Sequence, residues 1–114
     1  MSAPYTLEKV NELAGGDESF VAILVQTFLE EIPGDLASMA EAVENNNAPL
    51  AYQFAHKMKP NFQLFGIEVV DKVKLIESWS SGKVTQAEAE PALRYIQQRA
   101  KEAVEALERD FLNF

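Results

Sequence analysis

The 114-residue chain is expected to fold as an all-α protein. Apolar residues recur at three- and four-residue spacings, short breaker clusters separate these runs, and no pair of alternating segments remains to build a sheet. With such short connections the simplest arrangement is an antiparallel four-helix bundle with short additional N-terminal helices. No repeat or Pro/Gly/Ser-rich linker divides the chain, so residues 1–114 are expected to form a single domain.

Thr6 is placed to cap a first helix through Ala14, and Gly15-Gly16 ends it by supplying positive φ without a Cβ clash. Asp17 then caps a second helix whose Phe20, Ile23, Leu24, Thr27, Phe28 and Glu31 keep the helical spacing. Proline is tolerated in a first turn and not later, so Ile32-Pro33 reads as the joint to a third helix with Leu36, Met39, Ala40 and Val43 inward. Asn45-Asn46-Asn47 marks a turn, and Pro49 suits the opening of a fourth helix that stops near Gly66. Ile67, Val70, Val73, Leu75, Ile76 and Trp79 give a fifth, with strand as a minor alternative because several are β-branched. Ser80-Ser81-Gly82 breaks it. Thr85 and Glu88 form a capping box for a long last helix through Phe111, which either starts or kinks at Pro91.

Composition limits the function classes. The chain has no cysteine, which fits a reducing compartment, and its opening residues lack a basic and apolar leader. No run approaches the ~20 apolar residues of a membrane span, so a cytoplasmic, soluble protein is expected. A formal charge of −8 argues against nucleic acid as a partner. That charge is uneven: residues 1–47 carry nine acids and one base, whereas residues 48–83 carry three acids and five bases. Lys57, Lys59, Lys72 and Lys74 therefore make the neighbourhood of the only histidine, His56, locally positive.

Periodicity turns that histidine outward. With His56 set at 0° on a helical wheel, Leu50, Phe54, Met58, Phe62 and Phe65 fall between about 120° and 240°, the expected buried stripe. Lys59 and Gln63 lie within about 60° of His56 and are its expected neighbours on the open face. Tyr52, Lys57, Pro60 and Leu64 border the same face and are the expected partner-contact residues.

An exposed imidazole offers a nitrogen lone pair near neutrality and can attack a phosphoryl group. Lys59 would then lie close to the phosphate oxygens, and Gln63 could donate a hydrogen bond to them. Other chemistries lack their parts. There is no thiolate, no multi-histidine metal site and no Gly-rich nucleotide loop. Glu30-Glu31 and Glu88 with Glu90 read as solvated helix-end acids rather than a glycosidase pair. No cofactor or metal is expected, and the chain is expected to carry phosphate without being an enzyme.

Ala55-His56, the apolar Met58, Lys59 three after the histidine and Gly66 ten after it resemble the motif of histidine-containing phosphotransfer (HPt) domains. Leu7, Leu13, Gly15-Gly16-Asp17, Phe20, Phe28-Leu29 and Pro33 resemble that family's N-terminal lead-in, so the similarity covers nearly the whole chain. The resemblance implies a bundle whose mid-helix histidine exchanges a phosphoryl group with a response-regulator receiver aspartate, the receiver supplying its own divalent cation. A hybrid histidine kinase and receiver domains are the implied partners of a monomer. Two positions depart from the family: Pro60 stands where glycine is frequent, and Gln63 where a small residue is. Ser78 stands where some members have a glutamine and is not counted in the site. The alternative reading from another class is a helical adaptor that binds a receiver or other acidic partner without being phosphorylated.

Overall fold

Five helices form in the computed structural model, which describes residues 3–111. They are α1 (Glu8–Ala14), α2 (Glu18–Glu44), α3 (Ala48–Leu64), α4 (Val70–Ser80) and α5 (Gln86–Phe111), and no strand occurs among the described residues. The strand alternative for the segment after Ile67 is thereby set aside. Met1 and Ser2, part of the opening segment read for a leader, lie outside the described residues.

Pro33 does not divide two helices. It sits inside the 27-residue α2, because the buried residues Val21, Val25, Phe28, Ile32, Asp35, Met39 and Ala42 continue through it at alternating four- and three-residue steps. Losing the hydrogen bond to the Leu29 carbonyl costs about 3 kcal/mol in a helix interior. Burying the stripe on both sides outweighs that. The expected set of short N-terminal helices is correspondingly reduced to one, α1.

The inward face of α2 also differs from the expected one. Val21 and Val25 are buried, whereas Phe20 and Ile23 are exposed, Ile23 at 57%. Two apolar stripes overlap on this helix, and the one that runs through Val21 and Val25 packs inward. Asp35 occupies the buried stripe where an apolar residue is ordinary.

Caps account for most boundaries. Asp17 accepts from the Ser19 and Phe20 amides, and Asn47 from Leu50. Thr85 and Glu88 cap α5 reciprocally, so that helix begins at Gln86 and runs through Pro91 rather than starting there. Thr6, expected to cap α1, instead donates its amide to the Phe65 carbonyl at 2.8 Å, and Leu7 holds the cap position without a side-chain bond.

The end of α3 is a Schellman turn: the Ile67 amide donates to Phe62 and the Gly66 amide to Gln63, with Gly66 at φ 62°. A Cβ on Gly66 would stand 2.5 Å from the Thr6 hydroxyl. Gly66→Ala is therefore expected to lower stability by more than the ~1–2 kcal/mol of a left-handed non-glycine residue, read as a fall in the urea midpoint with unchanged slope.

Helices α2, α3, α4 and α5 pack in sequence, and α5 closes back on α2, enclosing one core that includes Phe28, Ile32, Met58, Phe62, Ile76, Ile96 and Leu107. Tyr5 ties the N-terminal segment to the end of α5 by donating to Asp110. Burial, followed by that bond to a carboxylate, pushes the Tyr5 phenol up to about 12.

Candidate functional site

His56 lies in the middle of α3, in the open sector between two neighbouring helices. Lys57, about 100° round the wheel, reaches α2 and donates to Asp35 at 3.0 Å. Lys59, about 60° the other way, reaches α4 and donates to both Glu77 oxygens at 2.8 and 3.0 Å. Between these attachments the imidazole stands 62% exposed. The buried arc of α3 is carried by Ala51, Ala55, Met58 and Phe62, which leaves the expected core residue Leu50 exposed and Phe54 half-buried.

The His56 ring is held on two sides. Tyr52, one turn earlier, stacks on it with centroids 5.6 Å apart and planes 7° from parallel. Its Nδ1 lies 3.0 Å from Glu77 Oε2. A carboxylate only accepts, so Nδ1 carries the proton of this contact and the neutral ring keeps its lone pair on Nε2. The same carboxylate would stabilise positive charge developing on the imidazole, as in other carboxylate-oriented histidines.

Glu77 is thus the organising residue, and it was not among the sequence-derived candidates. Its side chain is 12% exposed and that of Lys59 22%. Burial raises the Glu77 carboxyl, but hydrogen bonds from Lys59 and then His56 outweigh this and hold it below its ordinary 4.5. A lowered folded value means the stabilisation is fully present above about pH 4.5 and is lost as pH falls through the folded value. Glu77→Gln is expected to destabilise the domain by on the order of 1–3 kcal/mol near pH 7. Urea unfolding at pH 7 and at pH 3 should show that difference shrinking in acid.

The other candidates separate. Tyr52 and Lys59 line one open hollow of about 450 Å³ with His56, together with Lys74, Glu77, Ser78 and Ser81. Ser78, left out of the sequence-derived site, belongs to this lining. Gln63 does not: it is exposed and lines a different hollow with Lys9, Val69, Lys72 and Tyr95. Seven residues carry it about 10 Å along the helix from His56, so wheel angle alone overstated its proximity. Leu64 is half-buried and leans on the core, leaving only part of its surface for a partner. Pro60 is exposed inside an unbroken helix, and having no N–H it leaves the His56 carbonyl without its intrahelical donor.

The charge around His56 also needs correction. Lys57 and Lys59 are each paired with a carboxylate from another helix, Asp35 and Glu77. Asp35 is buried with its Oδ2 lacking a hydrogen-bond partner, so Lys57 is its only compensation among the described residues. The surface beside the histidine is closer to balanced than the sequence count implied.

No family model, curated protein or solved structure matches this chain. No helix is long and apolar enough to cross a membrane among the described residues.

Proposed function

We propose that this protein is a histidine phosphotransfer domain of a two-component relay, and that the ring of α2 to α5 is a four-helix bundle preceded by one short helix. The observation that carries the reading is the exposed His56 with Nδ1 engaged by Glu77, which aims a basic Nε2 at solvent. The Ala55-His56-Met58-Lys59-Gly66 resemblance supports it.

In the proposed step, the Nε2 lone pair attacks the phosphorus of a receiver's aspartyl phosphate. The Nε2–P bond forms, the P–O bond to the aspartyl carboxylate breaks, and its electron pair leaves with that carboxylate. Nδ1 keeps its proton, donated in a hydrogen bond to Glu77, whose negative charge balances the charge acquired by the ring. The reverse transfer uses the same atoms. Lys59 keeps Glu77 in register, Tyr52 braces the ring, and Lys57, Pro60 and the exposed part of Leu64 lie where a receiver docks. This chain supplies position and acceptor, the receiver supplies its divalent cation, and a hybrid histidine kinase stands upstream. We place the protein in the cytoplasm as a monomeric phosphocarrier.

The test is to mix the protein with a panel of phosphorylated receivers and seek acid-labile, base-stable phosphate on it. Transfer from at least one receiver is expected. Binding to a receiver with no transfer from any of them would replace this reading with that of an adaptor.

A further inference from the structure

We infer that Lys74 on α4, rather than Lys59, is the cation that holds the phosphoryl oxygens once His56 is modified. The inference rests on the phosphoacceptor reading of His56 and assigns a residue that the motif does not contain.

Four lysines make the sequence around His56 positive, and the structure occupies three of them. Lys57 is paired with Asp35, Lys59 is held by both oxygens of Glu77, and the Lys72 ammonium lies 5.6 Å from the centroid of the Tyr95 ring. Lys72 and Tyr95 also line the other hollow. Lys74 takes part in no ion pair among the described residues, is exposed, and lines the same hollow as His56.

Spacing explains why it belongs there. Glu77 and Ser78 lie three and four residues after Lys74 on α4, Ser81 at its C-cap lies four and three residues after them, and all four line the His56 hollow. This side of α4 therefore presents a carboxylate to Nδ1, and an ammonium and two hydroxyls beside it. A phosphoryl group on Nε2 would bring a charge of about −1.5 to −2 next to Glu77. Lys59 already neutralises that carboxylate, and drawing it away would leave a mostly buried acid with only the histidine. Lys74 can turn to the phosphoryl oxygens without uncovering anything, and the Ser78 hydroxyl is placed to join it.

The test uses the full chain treated with phosphoramidate, in which the donor's P–N bond breaks, ammonia leaves and the Nε2–P bond forms. The readout is the pH midpoint of the phosphohistidine ³¹P shift, which a nearby cation lowers by favouring the dianion. Lys74→Ala is expected to raise this midpoint by about 0.5 pH unit, as loss of one solvated ammonium nearby implies. Lys74→Arg should restore it, and Lys72→Ala should leave it unchanged. Circular dichroism of the exposed-site variants should match the parent. A midpoint unmoved by Lys74→Ala but raised by Lys59→Ala would overturn the assignment while leaving His56 as acceptor. Failure of the unmodified protein to acquire any phosphohistidine would instead remove the reading beneath it.

Discussion

Phosphate transfer to the His56→Gln variant is expected to fall to background, with fold and stability nearly unchanged. Glutamine keeps polarity and hydrogen bonding but has no lone-pair nitrogen that can bond phosphorus. The side chain is 62% exposed, and Glu77 would still be held at both oxygens by Lys59. Surface substitutions of this kind usually change stability by about 0.5 kcal/mol or less. Base-stable, acid-labile label, urea midpoint and receiver binding should be measured together on one preparation. Loss of label with retained binding assigns the chemistry to the imidazole. A variant that still accepts base-stable phosphate would show that another side chain is the acceptor.

Phe28→Ala is expected to have the largest effect on the fold. Phe28 is fully buried at the middle of α2, and its ring lies 4.6 Å from that of Phe65, centroid to centroid, at the end of α3. Truncating such a side chain removes its transfer free energy and leaves a cavity that the surrounding helices fill only partly, together about 3–5 kcal/mol. Against a total of roughly 5–15 kcal/mol for a domain of this kind, that is a large share. Thermal unfolding should shift down by on the order of 15 °C. Phe28→Leu should lose much less, because most of the buried volume remains. The position also bears on the site, since the Phe28–Phe65 contact anchors the end of the helix that carries His56. Alanine at Phe28 with no measurable loss of stability would mean that α2 and α3 do not meet there.

Local rules located the helices well because their signals are carried by neighbouring residues. Asp17, Asn47 and the Thr85–Glu88 pair cap where side-chain chemistry places them, and Gly66 takes the left-handed turn that ends α3. Outward rotation of His56 followed from the spacing of Met58, Phe62 and Phe65. What periodicity could not decide was a choice between overlapping stripes. On α2 both Phe20–Leu24–Phe28 and Val21–Val25–Phe28 keep helical spacing, and contact with the rest of the core selects the second. Pro33 shows the same ordering of effects, a local penalty accepted for a continuous buried face.

The site was legible in its exposed histidine and obscured in that residue's partners. His56, Tyr52 and Lys59 share a face of one helix, so wheel geometry finds them. Glu77 and Asp35 arrive from α4 and α2, and their registers against α3 are set by packing that no single segment encodes. The available hint was the pair of lysines flanking the histidine, since a half-buried ammonium requires a carboxylate from somewhere. Gln63 fell out for the opposite reason: the wheel records angle and discards the rise along the helix axis.

The most direct test of the central claim is the site of phosphate attachment on the ring, read by ¹⁵N–³¹P correlation on the labelled protein after transfer from a phosphorylated receiver. Attachment at Nε2 of His56, with Nδ1 protonated and still hydrogen-bonded to Glu77, is the result expected from the geometry. Phosphate at Nδ1, or on any residue other than His56, would contradict it.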